Sequence, residues 1–131
     1  MFTRQRALLA LGLACWAPML LAQSGYPTRP IHLIVPLAAG SAVDNAMRIV
    51  AERMSENIGQ GIVIENQPGA AGLIGTERVA KAAADGYTIG GFNDSIMTML
   101  PNLHATMPWD ILKDFEPISL VATKEANIKN D

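Results

Sequence analysis

The chain has 131 residues, of which 50% are hydrophobic and 17% charged, and its formal net charge is −2. This length fits about one domain, the composition excludes a disordered or fibrous protein, and the absence of a basic excess argues against nucleic acid as a partner. The single cysteine and two distant histidines, His32 and His104, exclude an intrachain disulfide framework and argue against a metal site.

The first 22 residues resemble a secretory signal peptide. Arg4 and Arg6 precede an apolar run from Ala7 to Ala22, after which the sequence turns polar. The run is shorter than the ~20 residues that a membrane-spanning helix needs, and Pro18 interrupts it. We therefore expect cleavage near Ala22 and export, with a domain over residues 23–123 and a polar tail over 124–131.

The exported part alternates segments of strand and helix character. Ile31–Val35 is almost entirely apolar and lies between two prolines, which is typical of a strand buried on both faces of a parallel sheet. Residues 42–57 carry an apolar stripe at helical spacing, and Gly59 is placed to end that helix. Similar patterns predict further strands at 62–65, 87–92 and 117–122, and helices at 76–84 and 95–100, the last stopped by Pro101.

This order predicts an α/β fold with a mostly parallel sheet and helices on both of its faces. Ligands of such sheets bind beyond the carboxyl ends of the strands, where the loops at 37–44, 66–75 and 92–95 should converge. These loops are rich in small residues, which allow a ligand to approach backbone N–H groups, and helix N-termini favour negative charge. The sequence therefore predicts an anion pocket built from main chain.

Motifs for catalysis are missing from the chain. Gly69–Gly75 has the spacing G-x-x-G-x-x-G, which differs from the dinucleotide fingerprint, and neither a phosphate-binding P-loop nor a G-x-S-x-G elbow occurs. Asp110, Asp114 and Glu116 lack the ligand order of a calcium loop and indicate a solvated acidic loop. We expect His32 to be packed in its strand and His104 to lie on the surface. The sequence thus predicts no enzyme, no cofactor and no catalytic or metal-binding residue.

Several residues of the predicted pocket have two interpretations. Ser41 and Asp44 have nearly the spacing of a capping box, so they can stabilise the start of the helix, contact a ligand, or do both. Gly69, Gly72 and Gly75 can serve close approach of a ligand or only the geometry of their loop.

Three segments together resemble the extracytoplasmic solute-binding proteins of the tripartite tricarboxylate transporter family, also called the Bug family. They are YPTRPIHLIVPLAAGSAVD, IVIENQPGAAGLIGTERVAKAAADGYTI and MPWDILKDFEPISLVA. The resemblance implies the first domain of a type II periplasmic binding protein, which captures a di- or tricarboxylate or a similar small organic acid and delivers it to a membrane permease. It further implies ligand contacts from the three loops at the carboxyl edge of the sheet, which together are here called the rim: Leu37, Ala39, Gly40, Ser41, Asp44, Ala70, Ala71, Gly72, Asn93 and Ser95.

The sequence also departs from the family pattern. Ser41 and Ala71 stand where glycine is usual, Leu37 stands where an aromatic residue is common, and Asp94 adds a negative charge to the rim. Family members are about twice as long or more, so the resemblance implies a truncated N-terminal part. Two interpretations follow: a solute-binding protein or its N-terminal half, or a non-binding remnant that is at most an interaction module with no ligand.

Overall fold

The structure is a computed structural model that describes residues 25–122. A three-stranded parallel sheet lies at its centre. Its strands are β1 (Ile31–Val35), β2 (Ile62–Asn66) and β3 (Thr88–Gly90), in the order β2-β1-β3. The register pairs Ile31 with Ile62 and His32 with Thr88. The predicted parallel α/β fold is confirmed, whereas the predicted signal peptide and polar tail lie outside the described residues.

Helices cover both faces of the sheet, as the sequence predicts. Leu33 and Val35 of β1 form a buried cluster with Met47 and Ala51 of α1 (Ala42–Ile58). Ile34, which is fully buried, points to the opposite face because side chains alternate along a strand, and α2 (Leu73–Ala80) contacts β1 and β3. The sequence of β1 is almost continuously apolar because helices cover both faces of this strand.

The predicted boundaries of α1 agree with the structure to within one residue. Gly59 follows the helix with a φ of 69° and donates its N–H to the Ser55 carbonyl at 3.0 Å. This left-handed ending is one that glycine adopts without a steric penalty. The buried part of the apolar face of α1 is smaller than predicted, because Met47 is buried but Val50 and Met54 are only half-buried.

The second helix begins earlier than predicted, at Leu73 instead of Thr76, and it ends at Ala80. A single 3₁₀ turn, Ala70–Gly72, comes directly before it. The prediction read Gly75 as a loop residue, but this glycine lies inside α2. A Cβ atom there would come within 2.8 Å of both the Gln67 carbonyl oxygen and the Pro36 Cβ, so glycine lets the helix approach the sheet closely.

Pro101 does not stop the helical segment that precedes it. A π-helical turn, Ser95–Met99, continues directly into α3 (Leu100–Leu103), and Pro101 occupies the first turn of α3, where a backbone N–H is not needed. The Leu100 N–H donates to the Ser95 carbonyl five residues back, which defines the π-turn.

The strand predicted at residues 117–122 is not formed, and β3 is shorter than predicted. Ile118 and Leu120 are 77% and 78% exposed. A β-branched segment needs a neighbouring strand to bond its backbone, and no strand within residues 25–122 lies beside this segment. Across the same residues, no helix combines the length and hydropathy needed to cross a membrane.

Candidate ligand-binding site

Three loops lie together at the carboxyl edge of the sheet. Loop one (residues 36–41) follows β1, loop two (67–72) follows β2, and loop three (91–94) follows β3. Gln67 N–H donates to the Val35 carbonyl at 2.8 Å, and Gly91 N–H donates to the Ile34 carbonyl at 2.9 Å. Because all three strands are parallel, their loops leave the sheet on the same side, so the structure brings the predicted rim segments together.

Ser41 caps the N-terminus of α1. Its Oγ accepts a hydrogen bond from the Asp44 N–H at 3.2 Å, and its own N–H donates to the Ala38 carbonyl at 3.2 Å. The capping interpretation is therefore confirmed.

Asp44 is a buried carboxylate whose two oxygens both accept hydrogen bonds. Its Oδ2 accepts from Arg48 Nε at 3.0 Å and from the Gly40 N–H at 2.8 Å, and its Oδ1 accepts from Asn66 Nδ2 at 2.9 Å. The bond from Arg48, followed by those from Gly40 and Asn66, lowers the pKa of Asp44 to about 2. The side chain is 1% exposed, so the structure does not present this carboxylate to the solvent.

The middle of loop one is exposed and built from small residues. Leu37 packs against the apolar cluster under α1, whereas Ala39 and Gly40 are exposed. Gly40 has a φ of 81° and open space where a Cβ would be, so backbone geometry and not crowding favours glycine there. Within residues 25–122, the Ala39 N–H has no protein acceptor.

Loop two holds two alanines in the left-handed conformation. Ala70 and Ala71 have φ values of 47° and 57°, and both are exposed. This conformation costs an L-residue roughly 1–2 kcal/mol. Their N–H groups also lack a protein acceptor in the part of the chain that the structure describes. Strain of this kind tends to cluster at binding sites.

Gly72 is packed between loop one and the π-helical turn that follows loop three. A Cβ atom at this position would come within 2.8 Å of Ile96 Cδ1 and 3.1 Å of the Pro36 carbonyl oxygen. The residue is buried, and its N–H donates to the Gly69 carbonyl at 2.9 Å. For Gly72, the structure therefore supports the loop-geometry interpretation.

Loop three ends in two side-chain caps. Asn93 Oδ1 accepts from the Ile96 N–H at 3.1 Å, and Asp94 Oδ1 accepts from the Ser95 N–H at 2.9 Å. Asn93 is half-buried, whereas Asp94 and Ser95 are exposed at the edge.

Comparison with known proteins decides the family. The model of the tripartite tricarboxylate transporter family receptor, TctC, matches residues 46–128. The chain belongs to this receptor family. Protein BugT of Bordetella pertussis is 39% identical over 97 residues, which is 73% of this chain and 30% of BugT.

Two solved structures of similar proteins contain carboxylates. R. palustris Rpa4515 with adipate shares 38% identity with a TM-score of 0.62, covering 67% of this chain and 29% of that one. MatC from Rhodopseudomonas palustris with bound malate shares 35% identity with a TM-score of 0.59, covering 73% and 33%. The chain spans about a third of the length of the curated receptor-family relatives that it matches.

The sequence analysis did not identify two residues of this candidate site. Arg48 and Asn66 both bond Asp44, and Arg48 Nη2 also donates to Asn66 Oδ1 at 3.2 Å. The four-residue spacing from Asp44 to Arg48 on one helix is a usable signal for an ion pair. Asn66 carries no comparable signal, because its role depends on how β2 aligns with loop one.

Other polar groups of the receptor-family chain lie away from the three loops. Glu65 Oε1 is 2.5 Å from His32 Nδ1, and Glu65 Oε2 accepts from Arg78 at 2.6 Å. The Arg78 bond, followed by the His32 bond, lowers the pKa of Glu65. His104 is exposed, and Asp110 pairs with Lys113 in the acidic loop. Residues 25–122 contain no group of His, Cys, Asp or Glu side chains arranged to hold a metal ion.

Proposed function

We propose that this chain contributes one wall of a binding site for a small organic carboxylate in a periplasmic solute-binding protein. The observation that carries the proposal is that Ala39, Ala70 and Ala71 are exposed residues at one edge of the sheet and that their backbone N–H groups have no protein acceptor within residues 25–122. A carboxylate is an acceptor only, so such donors suit it. Similar proteins solved with adipate and malate support this substrate class.

The electrostatics of the rim are compatible with an anionic ligand. The Asp44 charge is balanced by Arg48 within hydrogen-bonding distance, so it does not act as an isolated negative charge beside the loops. The N-termini of α1 and α2 lie at the same edge, and helix N-termini stabilise negative charge. Ser41, Asn93 and Ser95 add polar groups at this edge for the remaining ligand atoms.

The function we propose is capture and not chemistry. The loops offer donors and small surfaces, and a carboxylate held by them would be delivered to a membrane permease. The described residues surround a ligand from one side only, and closure around a solute requires a second wall. We therefore expect the chain alone to bind weakly, with a Kd in the millimolar range, about −4 kcal/mol.

Titration with malate, adipate, citrate, succinate and glutamate tests the proposal. Calorimetry and amide chemical shifts should report weak binding, with the largest shifts at Ala39, Ala70 and Ala71. Submillimolar affinity for any of these acids would contradict the one-sided site. The absence of shifts at these amides for every acid at high millimolar concentration would contradict the substrate class.

A charge variant gives the site-specific control. Ala71→Asp places a carboxylate on loop two at a left-handed position that aspartate tolerates, so repulsion should reduce the affinity for malate about ten-fold. Ala83→Asp makes the same change at an exposed position between α2 and β3, toward the amino edge of the sheet. This control should bind malate like the wild type. Equal losses in both variants would contradict the location of the site.

A second candidate is an interaction module without a ligand. Within residues 25–122, β3 has a strand neighbour on one side only, and the segment 117–122 is apolar and exposed. Free strand edges of this kind can pair with another chain. This candidate predicts association and no response to any organic acid.

A further inference from the structure

We propose that Asp44, Arg48 and Asn66 form a clasp, here called the rim clasp, that positions loop one for binding, so that these three are positioning residues. The inference rests on the proposed function and adds to it a mechanism for holding the donors in place. It reassigns Asp44, which the family resemblance implies as a ligand contact.

The rim clasp is a closed triangle of side chains. Asp44 accepts from Arg48 Nε at 3.0 Å and from Asn66 Nδ2 at 2.9 Å, and Arg48 Nη2 donates to Asn66 Oδ1 at 3.2 Å. Each side chain therefore bonds the other two. Such a network restrains all three rotamers, because rotation of any one side chain breaks two of the three bonds, at least one of them to a buried carboxylate.

The rim clasp forms hydrogen bonds with the backbone of loop one at two positions, Leu37 and Gly40. Asn66 Nδ2 donates to the Leu37 carbonyl at 3.2 Å, and the Gly40 N–H donates to Asp44 Oδ2 at 2.8 Å. Ala38 and Ala39, which lie between these two anchored points, are exposed. The same asparagine is the last residue of β2, so a single network fixes loop one relative to the start of loop two.

An electrostatic role and a positioning role of Asp44 predict opposite effects of Asp44→Asn on the affinity for an anion. Asp44→Asn removes a negative charge beside the loops and leaves Arg48 positive, so electrostatics alone would strengthen the binding of an anion. The same substitution takes away a carboxylate oxygen that accepts hydrogen bonds, so the rim clasp opens and loop one loses its anchor at Gly40 or at Asn66. A positioning role therefore predicts weaker binding despite the more favourable charge.

The test compares two carboxylate-to-amide substitutions in the complete 131-residue chain. Asp44→Asn should weaken the binding of malate, followed by amide shifts at Ala39 and Ala71, at least about five-fold. Glu65→Gln is the matched control, because Glu65 is adjacent to Asn66 in β2 but bonds His32 and Arg78 instead of the loops. It should change the malate affinity less than about two-fold.

Hydrogen exchange provides a readout that needs no ligand. The Gly40 and Ser41 amides, which donate to Asp44 and to the Ala38 carbonyl, should exchange about ten-fold faster in Asp44→Asn than in Glu65→Gln, whereas amides in β1 should exchange at similar rates in the two variants. If Asp44→Asn does not fold, Asn66→Ala replaces it, since this change removes the bond to the Leu37 carbonyl and leaves Asp44 paired with Arg48.

The outcomes separate this inference from the function on which it rests. Malate binding that is unchanged or tighter in the clasp variant overturns the rim clasp and leaves the proposed function standing. A wild-type chain that shows no amide shifts with malate, adipate, citrate, succinate or glutamate overturns the proposed function. In that case, faster exchange confined to the Gly40 and Ser41 amides still supports the rim clasp, and unchanged exchange of these amides overturns it.

Discussion

At the scale of single residues, Asp44 shows how a charge that the sequence places in the first turn of a helix becomes part of a network. First-turn carboxylates commonly stay in solvent and interact with the helix dipole. Here the side chain turns inward and accepts three hydrogen bonds, from Gly40, Arg48 and Asn66. A buried carboxylate is tolerated only when it is paired and bonded in this way.

This environment predicts a specific dependence of stability on acid. The pKa of Asp44 is lowered from 3.8 to about 2, so its contribution to folding is complete above pH 3.8 and is lost as the pH falls toward 2. The difference in urea midpoint between the wild type and Asp44→Asn should therefore shrink between pH 4 and pH 2. A difference that stays constant over this range would contradict the lowered pKa.

At the scale of elements, close contact with the residues that follow β1 and β2 explains why a glycine lies inside α2. Gly75 is inside the helix because its missing Cβ leaves room for the Gln67 carbonyl and Pro36. Gly72, which precedes the helix, is enclosed by Ile96 and Pro36 in the same manner. Glycines in this segment thus allow a helix, a strand end and a π-turn to meet at close range.

A pair of glycine substitutions tests this packing. Gly75→Ala should destabilise the fold by about 1–3 kcal/mol, because its Cβ would overlap the Gln67 carbonyl oxygen and Pro36. Gly61→Ala is the control, since no atom lies within 4 Å of the added Cβ. Denaturant unfolding followed by circular dichroism measures both variants. A Gly75→Ala chain as stable as the control would show that α2 can shift away from the sheet.

At the scale of the whole molecule, the chain corresponds to about a third of its curated relatives, and part of its apolar surface is uncovered. Ile118, Leu120 and Leu112 are 77%, 78% and 89% exposed. Scattered apolar residues are normal on protein surfaces, but a run of exposed apolar residues such as the segment 117–122 favours association with another chain.

Sedimentation measurements address this surface. If the segment 117–122 pairs with a second copy, the weight-average mass should rise with concentration in the micromolar range, and replacing Ile118 and Leu120 by aspartate should restore a monomer. A wild-type chain that remains monomeric and unfolds cooperatively would favour the solute-binding candidate over the interaction module.

The sequence by itself determined the features that depend on local periodicity and on caps. These include the buried strand β1, the helix α1 with Ser41 and Gly59 at its ends, and the parallel order that collects three loops at one edge. A repeating apolar pattern fixes such elements because each residue's environment follows from its neighbours along the chain.

Only the tertiary structure decided the features that need distant partners. The rim clasp depends on the contact of Asn66 with loop one, and the close approach of Gly75 to Pro36 and Gln67 depends on how α2 packs against the sheet. The segment 117–122 has strand composition, yet it forms no strand because no partner lies beside it in the described chain. Hydrogen bonds and packing between distant segments set these outcomes, and a linear pattern carries no record of them.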